Sequence, residues 1–361
     1  MASAPRRALD ADAYTDAARF ERERERVFGR TWQYAGHLSR LADPGDYFAF
    51  ELHGRGLFCV KDGAGEVRAF YNVCMHRAHR VVEGNGNKRV LVCPYHAWTY
   101  ELDGCLRAAP KSDPVPGFAR EAICLTPVPT EILGGFVFVN LDPEAEPMAH
   151  WYPGLAVGLA EYLPDLDRLR PVTAREVTER CNWKVSVENY SECYHCRRNH
   201  PTFASGVVDP DSYDIVPKGH VLRHVTKSVA LDALSYPVDP DSHPHALDYT
   251  SWFLWPTFSF QIYPGNVLNT YRWDALDHRT TRVTREWFAV DGAASETLTR
   301  LADQDLETTV AEDIHLVESV QRGLESGGYR PAPLVINPAG GVNSEHSIAA
   351  LYEWLDEAME G

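Results

Sequence analysis

The segment CMHRAHRVVEGNGNKRVLVCPYHAW, which begins at Cys74, carries Cys-x-His and Cys-x-x-His separated by sixteen residues. Structural zinc sites usually pair like with like, as two cysteines on one turn and two histidines on another. Here each short pair mixes the two ligand types, Cys74 with His76 and Cys93 with His96. Two thiolates on one iron and two imidazoles on the other form the ligand set of a [2Fe–2S] cluster whose neutral imidazoles raise its potential above that of an all-cysteine cluster. One loop then supplies Cys74 and His76 and the other Cys93 and His96. Pro94 suits a tight turn at the second loop, and Trp98 is placed to shield the cluster from water. Cys59, Cys105, Cys124 and Cys181 read as small buried hydrophobes. Cys193 and Cys196 are set aside because the residues around them explain that segment better.

In ENYSECYHCRRNHP, Glu192 and His195 are three residues apart and share a face if the segment is helical. His200 follows five residues after His195, which on an ideal helix turns it about 140° away. Both imidazoles reach one ion if His200 sits just past a helix end, and Pro201 supplies that end by disfavouring helical geometry in the residue before it. A carboxylate is still needed for the facial arrangement that leaves positions open on Fe(II) for oxygen. Further along, Leu306, Val310, Val317, Val320 and Leu324 form an apolar stripe, and its missing member is Asp313. A carboxylate on a buried face is costly unless it is paired or bound to metal. Asp313 is therefore the expected third ligand, with Glu312 and Glu318 as flanking alternatives and a buried arginine partner as the non-metal explanation.

These residues need elements to hold them. Between Asp46 and Asp142, the runs YFAFEL, GLFCVKD, VRAFYNV, KRVLVCPY, AWTYELDG and GGFVFVNL are short and β-rich, with Gly and Asn turns between them. That is a small all-β unit containing both Cys/His pairs. Before it, ARFERERERVFGRTWQYAG reads as a charged helix whose Phe20, Val27 and Phe28 dock on a larger body. After it, CNWKVSVENYSECYHCRRNHP reads as a strand leading into a helix. TSWFLWPTFSFQIYP, LNTYRWDAL and TTRVTREWFAV read as antiparallel strands, and ADQDLETTVAEDIHLVESVQRGLES as a long amphipathic helix ending near Gly327. The expected organisation is residues 1–45 as an N-terminal helical part of the catalytic domain, 46–145 as the all-β metal domain and 146–361 as an α+β catalytic domain.

The bulk composition narrows the function. With 361 residues, 24% charged and 44% hydrophobic, the chain exceeds one average core and reads as a folded, soluble, cytoplasmic protein with no membrane span or export leader. A formal net charge of -16 argues against nucleic acid, since phosphate binding needs concentrated Lys and Arg. Eight cysteines in a chain of this size point to metal ligation before a disulfide framework. A one-electron centre beside an open Fe(II) site suggests oxygen activation.

Cys-x-His, sixteen residues, Cys-x-x-His, then Asn-Trp-Lys, Glu-Asn and carboxylate-x2-His-x4-His together resemble the oxygenase (alpha) component of the Rieske non-heme iron oxygenases, over nearly the whole chain. The resemblance implies an all-β Rieske [2Fe–2S] domain plus a helix-grip catalytic domain of antiparallel sheet and helices, an α+β fold. It also implies a homotrimer in which the cluster of one subunit faces the iron of the next, with a carboxylate bridging a cluster histidine and an iron-ligand histidine. The matching position is Glu192, where most members have Asp; Glu matches the branch that includes choline, glycine betaine and carnitine monooxygenases. Electrons are then expected from NADH or NADPH through a separate flavin/iron–sulfur reductase, because no Gly-x-Gly-x-x-Gly opens a helix after a strand in this chain. They pass by way of Glu192 to iron held by His195, His200 and Asp313.

The substrate is less constrained. Trp255, Phe258, Phe260, Tyr263 and Tyr271 are candidates to wall a pocket, and aromatic faces attract quaternary ammonium groups by about 0.5–2 kcal/mol each. A quaternary ammonium compound is the expected substrate, with N-demethylation or C–N cleavage following hydroxylation. The alternative is an aromatic-ring dioxygenase or O-demethylase. A structural-zinc module would need no Asp313, and a bare Rieske electron carrier would need no second domain.

Overall fold

The strands Thr250–Leu254, Phe258–Tyr263, Val267–Asp277 and Thr280–Val290 follow one another as an antiparallel meander. Val221–Val225 and Asp214–Lys218 extend it on one side. Leu169–Glu179 pairs with Thr280–Val290 on the other, giving seven strands, all antiparallel. Their β-branched and aromatic residues suit a pleated surface covered on one face. Helix Trp183–Tyr190 packs on Val267–Asp277 and Thr280–Val290, and helix Ala311–Glu325 packs on Leu169–Glu179. This is the α+β helix-grip arrangement. The computed structural model describes residues 5–360 and divides them into two compact units, 5–28 with 146–360 and 29–145. Strand Gln33–His37 pairs with Phe136–Val139 in the smaller unit, whereas the sequence reading carried the N-terminal part on to residue 45. Among the described residues no helix is long and apolar enough to cross a membrane.

The N-terminal helix, Ala17–Arg26, buries Phe20 together with Val27 and Phe28 just beyond its end, and the Phe28 ring meets Trp183 edge-on at 5.1 Å. Glu23 lies on the same face and is fully buried. Its carboxylate accepts from Lys184 Nζ at 2.7 and 2.8 Å and from Trp183 Nε1 at 2.9 Å. Removing one partner of a dry ion pair strands the other charge, at about 3–5 kcal/mol. Glu23→Ala is therefore expected to lower stability by that amount, read from the urea midpoint, and Glu23→Met with Lys184→Met to recover most of it. A loss below about 1 kcal/mol would mean that the pair is not held dry.

Three local readings change. NWKVSVENY is a helix, Trp183–Tyr190, and not a strand: Asn182 caps it by accepting from the Lys184 amide at 3.0 Å. Trp183, Val185 and Val187 alternate as in a strand, yet residues 183–187 are all buried, so the alternation carried no information about period. Glu192 lies in the turn after this helix and does not share a helix with His195. Pro201 does break the chain at His200, but it also opens a new helix, Pro201–Gly206, at the first position, where its missing amide costs nothing. Lastly, Cys105 with Cys124 and Cys193 with Cys196 are disulfides, not unlinked thiols; Cys105 and Cys124 face each other across an isolated β-bridge. Cys59 and Cys181 stay free and buried.

The helix that carries Asp313 is not regular. Glu296–Asp305 and Ala311–Glu325 are joined by a π-helical segment, Leu306–Val310. In an unbroken α-helix, residues eight apart end about 80° out of line. One surplus residue in a π-segment takes up about 100°. Asp305 and Asp313 thus come within about 20° of each other and both look onto the sheet.

Candidate functional site

In the smaller unit, two loops are built on one backbone pattern. The Cys74 amide donates to His79 O at 2.9 Å and the Ala78 amide to Cys74 O at 2.9 Å. The Cys93 amide likewise donates to Trp98 O at 2.8 Å and the Ala97 amide to Cys93 O at 3.0 Å. Ala78 and Ala97 occupy matching positions with φ of 58° and 56°. Cys74 and Cys93 are buried at the base of these loops, while His76 and His96 are exposed, with ring centroids 4.6 Å apart. Thiolates form one layer and imidazoles the next.

This layering fits a two-iron cluster better than one zinc ion. Ligands of a single tetrahedral ion converge on one point. Among the described residues, the one group of three such donors within 4.8 Å of one another is His195, His200 and Asp313, so the four Cys/His side chains are spread more widely. Trp98 stacks on His76, centroids 4.7 Å apart and planes 6° from parallel. Tyr100, which sequence reasoning missed, places its hydroxyl 3.2 Å from Cys74 Sγ and accepts from the Met75 amide at 3.0 Å. Towards a thiolate that hydroxyl can only donate, and a cluster held by Cys74 would gain stability in its reduced form from that bond.

In the larger unit, His195 and His200 meet with their Nε2 atoms 3.0 Å apart. Asp313 Oδ1 is 3.0 Å from His200 Nε2 and 3.7 Å from His195 Nε2. Each imidazole is aimed by a carboxylate on its far side: Glu192 Oε1 holds His195 Nδ1, and Glu312 Oε2 lies 2.8 Å from His200 Nδ1. Glu312, an alternative ligand in the sequence, is thus the partner of one. Glu318 accepts from the Arg180 amide at 3.2 Å and is not at the site. Asp313 Oδ1 is buried without a hydrogen bond of good geometry. An orphaned carboxylate oxygen facing two imidazole nitrogens fits an Fe(II) ion held on one face.

The histidines' charge state follows from the same contacts. Burial pushes His195 down, but Asp313 and Glu192 outweigh it and lift it to about 9; His200 is raised as well, by Asp313 and Glu312. Below about pH 9, the metal-free site therefore holds a proton that Fe(II) must displace. Metal affinity is expected to rise with pH, by about tenfold per unit for each proton released. Anaerobic Fe(II) titrations at pH 6, 7 and 8 measure the slope, and a flat profile would contradict the proton assignment.

The three donors open onto a cavity of about 70 Å³. Tyr263 and Tyr271 line it as expected, with Tyr190, Tyr213, Tyr249 and Trp273, which the sequence reading did not include. Trp255, Phe258 and Phe260 do not line it. Phe258 and Phe260 point to the other face of their strand, opposite to Gln261 and Tyr263, and Trp255 packs on Trp183 and Trp354. Glu179 also lines the cavity, and burial pushes its carboxyl up to about 7. Glu192 and His195 line a second recess of about 670 Å³ together with Val317, Val320 and Leu324. Val320, assigned to the buried stripe, is 51% exposed because it borders this recess.

Residues 166–361, more than half of the chain, match the family of the ring hydroxylating alpha subunit (catalytic domain), and residues 31–119 match the Rieske [2Fe-2S] domain. The chain belongs to the Rieske oxygenase alpha subunits. The carnitine monooxygenase oxygenase subunit of Acinetobacter baumannii is 35% identical to this Rieske oxygenase over 346 residues, covering 93% of this chain and 90% of its own. The chloroplastic choline monooxygenase of Spinacia oleracea is 29% identical, covering 96% of this chain and 77% of its own. The solved quaternary ammonium Rieske monooxygenase CntA with L-carnitine superposes with a TM-score of 0.86 at 31% identity, covering 98% of this chain and 96% of that one. As a Rieske oxygenase, the protein uses a [2Fe–2S] cluster and a mononuclear iron and receives electrons from a reductase.

Proposed function

We propose that this Rieske oxygenase is a monooxygenase of a small quaternary ammonium compound of the betaine, choline or carnitine type. The aromatic cavity beside His195, His200 and Asp313 carries the reading. Its rings attract an ammonium by about 0.5–2 kcal/mol each. The carnitine and choline monooxygenases among the relatives, and the solved structure with L-carnitine, support the same class.

In this reading Cys74, Cys93, His76 and His96 are the cluster ligands, and His195, His200 and Asp313 are the iron ligands. When bound, the cluster supplies single electrons and the iron activates O2, so that a C–H becomes C–OH with two electrons and two protons consumed and one water formed. The tyrosines and Trp273 hold the ammonium so that a carbon beside nitrogen faces the donors. Its hydroxylated product then collapses with C–N cleavage. We assign Glu192 as the bridge to a neighbouring subunit's cluster in a homotrimer, supported by its position on His195 and at the rim of the larger recess. Electrons come from NADH or NADPH through a separate flavin/iron–sulfur reductase, and the protein works in the cytoplasm.

The test is a single turnover. Reduced, iron-loaded protein is mixed with O2 and choline, glycine betaine, carnitine, proline betaine or aromatic acids, and products are followed by mass spectrometry. Oxidised or demethylated ammonium product formed in step with cluster oxidation is the expected result. Products from the aromatic acids alone would overturn the substrate class and favour a dioxygenase or O-demethylase.

A further inference from the structure

Arg285 is fully buried and lines the same cavity as the three metal donors. It lies on strand Thr280–Val290 with Val283 and Trp287 on the inner face, opposite Tyr271 in the neighbouring strand. Its guanidinium is only partly satisfied. Nη1 donates to Asp305 Oδ2 at 3.1 Å, while Asp305 Oδ1 is taken by the hydroxyls of Tyr263 at 3.4 Å and Tyr271 at 3.3 Å. Nε and Nη2 are buried and have no hydrogen-bond partner. A buried cation with two orphaned donors is costly unless an acceptor arrives.

The unpaired edge has a definite chemistry. Nε–H and Nη2–H are parallel donors spaced to meet the two oxygens of one carboxylate, the bidentate geometry that a lysine ammonium does not offer. Asp305 pins the third corner of the guanidinium, so the fork is held in place before a ligand enters. The π-segment fixes where that fork stands. It puts Asp305, which holds Arg285, on the same helix face as Asp313 at the metal end. The cavity therefore has an anion-binding group and an aromatic, acidic wall within one enclosure.

We infer that Arg285 receives a substrate carboxylate through its Nε/Nη2 edge, so that the preferred substrate is a quaternary ammonium acid, an ammonium and a carboxylate in one molecule. This rests on the quaternary ammonium reading above and narrows it. Choline, an alcohol, leaves the fork empty and the desolvated donors unpaired, and so does an ester of the acid.

The experiment is calorimetric binding to the intact protein of γ-butyrobetaine, its methyl ester and choline. Tenfold or greater preference of the wild-type protein for the acid over its ester is expected. Arg285→Lys, which keeps the charge beside Asp305 but removes the fork, is expected to weaken the acid tenfold or more while shifting the ester less than threefold. The wild-type ratio stands without the variant if that chain folds poorly. Equal binding of acid, ester and choline overturns the carboxylate subsite and leaves the quaternary ammonium reading intact. No binding of any of the three overturns both.

Discussion

Asp313→Ala is expected to empty the mononuclear site and reduce turnover by at least about a hundredfold, with the cluster unchanged. Even partners that only orient a metal ligand are worth about 10–100-fold in affinity or activity, and Asp313 is one of three donors and the one anion among them. Its carboxyl is held below the usual range: burial opposes ionisation, but the imidazoles of His195 and His200 close to it win. The site is therefore anionic on one face and able to take a dication at neutral pH. The substitution removes a buried charge and leaves its helix otherwise intact, so the fold should survive. Iron content should fall by one per chain while the visible spectrum and the reduced-cluster resonance persist. Glu312→Gln, which alters only the group behind His200, is expected to weaken iron binding without emptying the site. Full iron occupancy in Asp313→Ala would show that the carboxylate is not a ligand.

The candidate metal sites were legible in the sequence because coordination restricts donor type and spacing, whatever surrounds them. The mixed Cys/His pairs could be read before any strand was placed, and His200 was expected past a helix end, where it lies. Asp313 was singled out through a gap in an apolar stripe, of which Val310, Val317 and Leu324 prove buried, Leu306 half-buried and Val320 exposed. The π-segment at Leu306–Val310 could not be read, because an extra residue in a helix leaves no composition signal and is paid for by tertiary contacts.

The pocket was harder for a specific reason. Every residue of Phe258–Tyr263 is buried, so burial on that strand does not tell the cavity face from the opposite one, and Phe258 and Phe260 were assigned to the wrong wall. Tyr190 comes from a segment read as a strand leading into a helix, and Trp273 from a strand whose inner face was not assigned. Arg285 did leave a signal. In TTRVTREWFAV it has the same parity as Val283 and Trp287, which places it inward, whereas Arg282 faces outward with Asp274. An arginine in phase with the apolar face of a strand is a costly placement, and a ligand or a buried acid is what makes it tolerable.

Glu192→Ala is the second large effect, and it separates electron delivery from metal binding. Glu192 and Glu312 hold their imidazoles in the same way, a carboxylate oxygen on Nδ1 and the other nitrogen turned towards Asp313. As orienting groups they should therefore be worth similar amounts, about 10–100-fold in iron affinity, which excess Fe(II) overcomes. The proposed bridge gives Glu192 a further task. With both variants fully loaded and the cluster reduced, O2 and substrate are added and the cluster's oxidation is followed by its absorbance. Glu312→Ala should oxidise within about tenfold of the wild-type rate. Glu192→Ala should be slower by at least about a hundredfold, a barrier increase of about 2.7 kcal/mol, with both metals present throughout. Equal rates in the two variants would reduce Glu192 to a group that merely orients His195. The electron would then have to enter the iron site by another route.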